Sequence, residues 1–240
     1  ALMFPIARYF LPLLKRLKFA QPIHELALET QKAKQGTPTM GGLMFAAVTS
    51  VLSLVFSAIY GFSVSTLILV LFSLFSLLIG FIDDFTKVKN NHNLGLKWWQ
   101  KLIAQIVIGY FFSLYCYMTP EIGSSIIIPF TSLEWDLGIW YLPVMTLVIM
   151  FIINSANLQD GMDGLLSSVS VVGSIAWAVI AMFFYITPVV TSYSESFGIV
   201  CFSLVLAGSL MAYLRYNFHP AKVFMGDTGS MFIGAAMVGV

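Results

Sequence analysis

Long apolar runs separated by polar breaks dominate the chain. They fall at about residues 1–14, 43–62, 64–82, 102–118, 138–154, 165–186, 197–213 and 230–240. Several approach or pass the ~20 apolar residues that cross a hydrocarbon core as a helix. None shows the short alternating segments of a membrane barrel. The pattern predicts an all-α, polytopic transmembrane helical bundle. The runs at 1–14 and 230–240 read as partial spans. The expectation is therefore one integral-membrane domain over 1–240, with its first helix and its C-terminal helices incomplete.

The breaks alternate in character. Those after the first, third, fifth and seventh runs are long, polar and rich in Gly, Asn and Asp, whereas those after the second and sixth are short and nearly uncharged. The break at 119–137 differs from both. Its segment Ser124 to Trp135 is β-branched around Pro129, which predicts a small hairpin at the outer interface. Trp135, Trp140 and Tyr141 would anchor it there.

Charge then orients the bundle. Only 10% of residues are charged, against about 25% in soluble domains. All twelve Lys and Arg lie in the first run or in the breaks after the first, third and seventh runs. That asymmetry puts the odd-numbered loops in the cytoplasm and the hairpin on the periplasmic or extracellular side. A net charge of +1 gives no reason to expect a nucleic-acid partner. Cys116 and Cys201 lie in apolar runs and read as free core thiols.

The aspartates cluster on that same face. Asp83 and Asp84 end a long apolar run, with Lys87 three residues on. Two adjacent carboxylates repel, and a divalent cation or a cationic partner would relieve them. Asn154, Asn157, Asp160 and Asp163 recur every three residues, which would put near neighbours on one helical face. Asp227 sits between Gly226 and Gly229, before a fresh apolar run. It suits either a helix cap, a role open to Thr228 or Ser230 as well, or a magnesium site completed by substrate phosphates. Phe224 could stack on a base or pack at the surface, and His219, before Pro220, reads as a structural or substrate contact. Lys32, Lys34, Thr37, Thr39 and the amides around Gly41 and Gly42 suggest an anion-binding helix start. Carboxylates, lysines and amides on one membrane face suit metal-dependent phosphoryl transfer. A transporter would place its ionisable groups near the midplane instead.

Four stretches carry a resemblance: Thr37 to Gly42, Asp83-Asp84, Asn154 to Gly164, and His219 to Ser230. They resemble the phospho-N-acetylmuramoyl-pentapeptide transferases of glycosyl transferase family 4. These belong to the polyprenyl-phosphate N-acetylhexosamine-1-phosphate transferases. The resemblance implies ten spanning helices in the bacterial cytoplasmic membrane. It also implies a histidine-rich cytoplasmic loop beyond Val240. The implied reaction moves phospho-MurNAc-pentapeptide from UDP-MurNAc-pentapeptide to undecaprenyl phosphate, with Mg²⁺, giving lipid I and UMP. A sibling transferase using UDP-GlcNAc is the alternative. By resemblance, Asp83, Asp84 and Asp227 are catalytic, and Asp227 and Asp160 hold the metal. Lys34, Thr39, Lys87, Asn154, Asn157, Asp160, Asp163, Asn217 and Phe224 contact substrate. Gln159 stands where the family usually has Thr. The carrier phosphate would attack the donor's β-phosphorus directly, with Asp83 or Asp84 accepting its proton or orienting it. A double displacement through an aspartyl-phosphate is the other route. A homodimer is carried as a further expectation.

Overall fold

The computed structural model describes residues 2–16, 37–90, 95–120, 122–128, 131, 133–186 and 193–240. Eight α-helices run through them: α1 Met3–Arg16, α2 Gly42–Tyr60, α3 Val64–Asn90, α4 Trp98–Met118, α5 Tyr141–Gln159, α6 Leu165–Ile186, α7 Tyr193–Asn217 and α8 Gly226–Gly239. The helices α2 to α7 are long and apolar enough to span a bilayer. The protein is an all-α, multi-pass membrane bundle, as the apolar runs predict.

α8 is the hub. Every residue from Thr228 to Ala236 is buried, which marks a helix enclosed on all sides. One cluster packs α8 against α2, and α2 in turn against α7, through Phe45, Phe202, Leu206, Leu210, Tyr213 and Phe232. Phe45 sits edge-on to Tyr213 at 5.1 Å and to Phe232 at 6.0 Å. A second cluster packs the other side against α3, α4 and α5 through Phe72, Ile79, Phe112, Ile149 and Ile153. Between α2 and α7, the buried Thr49 and Ser209 hydroxyls bond at 2.7 Å, a polar link of the kind that joins helices in lipid. The outward faces of α5 and α6 stay apolar, with Phe151 and Val172 exposed.

One end of the bundle is closed by a carboxylate. Glu195 accepts hydrogen bonds from the Ser63 hydroxyl at 2.7 Å and from the amides of Val64 and Ser65 at 3.1 and 3.0 Å. It therefore satisfies the free N–H groups at the start of α3. The expected hairpin forms at this end as β1 Ser125–Ile127 and β2 Glu134–Asp136, antiparallel, with Ile126 opposite Trp135. Trp135 and Trp140 are exposed, as anchors need to be. Tyr141 is not, because it is the first residue of α5 and is buried there.

The boundaries at the opposite end differ from the apolar runs, and the differences matter. α3 continues past residue 82 to Asn90, so Asp83, Asp84 and Lys87 all lie on helix. α5 carries Asn154 and Asn157 but stops at Gln159, so Asp160 and Asp163 lie beyond it in a turn. α8 starts at Gly226, which puts Asp227 in its first turn.

Candidate active site at the basic end of the bundle

Backbone pairing fixes where α8 begins. The amides of Gly41 and Gly42 donate to the carbonyls of Phe224 and Met225 at 2.9 and 3.1 Å, and the Phe224 amide donates back to Pro38 at 2.8 Å. The segment before α2 thus forms a strand-like latch on the segment before α8. These amides are engaged, which corrects the expectation that they are free to bind an anion. Gly80 lets α3 come up against the same point, because a Cβ there would overlap the Asp227 carbonyl oxygen.

This close approach gathers Asp83, Asp84 and Asp227, each with one carboxylate oxygen within 4.8 Å of the others. Lys87, one turn beyond Asp83, pairs with it and reaches Asp227 Oδ2 at 3.1 Å. Lys101 on α4 reaches the same oxygen at 2.9 Å. The Asn157 amide donates 2.8 Å bonds to Asp227 Oδ1 and to the Ser230 hydroxyl. The Leu96 amide donates to Asp83 Oδ1 at 2.8 Å. Asp84 accepts from the amide and the hydroxyl of Thr228, at 2.9 and 2.7 Å.

The electrostatics follow from that geometry. Burial alone would raise the Asp227 carboxyl. Hydrogen bonding with Asp83, the Lys101 and Lys87 charges and the Asn157 amide outweigh it and hold the group well below the usual carboxylate range. Asp160 goes the other way, raised by burial and by the charges of Asp227, Asp84 and Asp163. The donor set fits a magnesium ion: three converging carboxylates are hard oxygen donors, and such an ion is commonly held by one or two of them together with phosphates.

The remaining sequence candidates fall into different places. Asp160 is not among the three converging carboxylates, because α5 ends before it. Asp163 does not continue the Asn154–Asn157 face. Its buried carboxylate turns to His219 Nδ1 at 3.1 Å and to the Ala221 amide at 3.2 Å, and so holds the loop that leads to α8. Asn217 is buried too; it accepts from Ser167 at 2.9 Å and donates to the Val223 carbonyl at 3.2 Å. Asn154 exchanges amide hydrogen bonds with Gln105 of α4 at 2.8 and 3.3 Å. Thr39 is buried beside Gly226 and behind Asp84. Phe224 is half-buried in the latch. Lys34 lies outside the described residues.

Sequence reasoning missed Lys101 and Gln105, and it read Thr228 and Ser230 only as candidate helix caps, whereas no side chain caps α8. Lys101 was visible only as one basic residue in a basic break. Gln105 is uncharged, and nothing in its spacing separates it from packing residues.

Comparison with known proteins identifies the family. The profile of glycosyl transferase family 4 matches residues 66–240. The phospho-N-acetylmuramoyl-pentapeptide-transferase signature 1 matches residues 34–45, the stretch that contains the latch before α2. The phospho-N-acetylmuramoyl-pentapeptide-transferase of Caldanaerobacter subterraneus subsp. tengcongensis is 40% identical over 233 residues, which cover 97% of this chain and 69% of that protein. The enzyme of the same name from Clostridioides difficile is 34% identical over 97% of this chain and 69% of its own length. That from Halalkalibacterium halodurans is 40% identical over 96% and 68%. On this profile, this signature and these relatives, the chain belongs to glycosyl transferase family 4 and, within it, to the phospho-N-acetylmuramoyl-pentapeptide-transferases.

Proposed function

We propose that this transferase moves phospho-MurNAc-pentapeptide from UDP-MurNAc-pentapeptide to undecaprenyl phosphate, giving lipid I and UMP, from the cytoplasmic face of the bacterial inner membrane. The observation that carries the reading is the meeting of two further carboxylates and two lysines around Asp227, at the end of the bundle where the basic breaks lie. The lysine asymmetry supports a cytoplasmic site. The apolar span faces beside it suit a lipid carrier that stays in the bilayer.

Asp83, Asp84 and Asp227 would hold Mg²⁺. When bound, the ion neutralises pyrophosphate charge and so stabilises the leaving phosphate. An oxygen of the carrier phosphate bonds to the donor's β-phosphorus, while the bond from that phosphorus to the bridging oxygen breaks and UMP leaves. Lys87 and Lys101, which both reach Asp227, would balance the charge that builds on the departing phosphate. Of the adjacent pair, Asp84 is tied to α8 by two hydrogen bonds. Asp83, held by Lys87 and the Leu96 amide, would orient the carrier phosphate or take its proton. Phe224, carried on the latch, would stack on the uracil, and Asn217 and Asp163 hold the loop that leads to it.

The test supplies the protein in detergent with undecaprenyl phosphate and either UDP-MurNAc-pentapeptide or UDP-GlcNAc, and follows UMP. Release with the muramoyl donor alone is expected. Release only with UDP-GlcNAc would assign the chain to the sibling reaction.

A further inference from the structure

Asp84 differs from the other two carboxylates in what holds it. Asp83 and Asp227 face lysine ammonium groups. Asp84 is buried at the start of α8, and its Oδ2 accepts both the amide and the hydroxyl of Thr228. Thr228 is itself fully buried. Thr228 is the third residue of α8, past the cap position at Met225, where no side chain caps the helix. Its hydroxyl crosses to Asp84 on α3.

The surroundings leave that carboxylate little freedom. Gly226 adopts a φ of +73°, and a Cβ there would overlap Asp84 Oδ2. The backbone turn into α8 is therefore shaped around the Asp84 oxygen. The amide bond adds the favourable field of a helix N-terminus, and hydrogen bonds to an ionised acceptor are about twice as strong as neutral ones. The hydroxyl puts a second donor on the same oxygen and so further restricts the carboxylate. Groups that orient a ligating carboxylate commonly change metal affinity or activity by about 10- to 100-fold when removed.

We infer that Thr228 is a positioning residue of the transfer reaction: its hydroxyl, donating to Asp84 Oδ2, fixes the orientation in which the Asp83–Asp84–Asp227 group takes a divalent cation. The assignment rests on the transfer reading for its kinetic part but not for its binding part. Valine in place of threonine keeps the shape and the amide bond and loses only the hydroxyl. Serine keeps the hydroxyl and loses only the methyl.

The experiment measures Mn²⁺ binding to the purified protein by electron paramagnetic resonance, without substrates, for the parent, Thr228→Val and Thr228→Ser. It then measures kcat, and KM for UDP-MurNAc-pentapeptide, from UMP release. Thr228→Val is expected to bind Mn²⁺ about 10- to 100-fold more weakly and to lose kcat by a similar factor, with KM for the donor within about threefold of the parent. Thr228→Ser is expected to match the parent in all three. Should the valine variant not elute as folded protein, Thr228→Ala removes the same hydroxyl, with the same expected loss. Unchanged Mn²⁺ binding in the folded hydroxyl-free variant would overturn the inference, and so would a serine variant as damaged as the valine one, which would point to methyl packing. A parent that binds no Mn²⁺ would also overturn it. A series that shows the binding losses in a protein releasing no UMP would sink the transfer reading and leave the Thr228 assignment standing.

Discussion

Lys101 enters the sequence as one of four lysines in the break after the third apolar run, where it helps to orient the bundle. In the fold it sits in the first turn of α4 and reaches across to Asp227 Oδ2 at 2.9 Å, with its side chain only 17% exposed. Asp227 thus receives cations from two helices, and each offsets charge that burial alone would make costly. Lys101→Gln leaves a hydrogen-bonding amide but no charge. The expected result is a fall in kcat/KM for UDP-MurNAc-pentapeptide of about 100- to 1,000-fold, as for loss of a donor aimed at developing charge. Initial rates of UMP release check this, and an unchanged rate would reduce Lys101 to a topological charge. The site was partly legible at this scale. Asp83, Asp84 and Asp227 stand out because ionised groups beside apolar spans are costly without a partner. The directions of Asp163 and Asn217 did not, because both depend on where a helix stops and on which loop then lies beside it.

Helix boundaries decide the site at the next scale. The apolar run of α3 fades near residue 82, yet the helix continues to Asn90 because its polar extension is held by α8 and by the Leu96 amide. The spacing of Asn154, Asn157, Asp160 and Asp163 suggested one helical face, but Gly161 and Gly164 follow closely, and the chain turns after Gln159 with φ of +75° at Gly164. Hydropathy reports burial in lipid, and it is silent about polar helix turns that stand above the membrane. The contact between α3 and α8 is the one on which the carboxylates depend. Gly80→Ala pushes a methyl against the Asp227 carbonyl. A loss of about 1–3 kcal/mol of stability is expected from such overpacking. Turnover should fall by about 100-fold if the shift approaches 1 Å. Thermal melting in detergent and UMP release on the same preparation read both, and a glycine-like rate with an unchanged melting temperature would contradict the account.

The whole bundle is organised around one enclosed helix. The apolar runs disclosed the number and order of spans, and the hairpin was legible from its β-branched residues. That the last partial run would be the hub was not legible, since α8 is short and rich in Gly and Ala and its hydropathy resembles that of its neighbours. Its enclosure by α2, α3, α4, α5 and α6 carries Asp227 to the centre of the basic end, where Lys87, Lys101, Asn157 and Asp83 converge on it. The most direct test of this arrangement is UMP release from UDP-MurNAc-pentapeptide and undecaprenyl phosphate by the parent and by Asp227→Asn, across a Mg²⁺ titration that begins in chelator. The parent should be silent in chelator and saturate with Mg²⁺, while the Asn variant, eluting as folded protein, should stay at least about 1,000-fold slower at every concentration, a deficit of roughly 4 kcal/mol in transition-state stabilisation. A folded Asn variant that matches the parent's rate and Mg²⁺ dependence would contradict it.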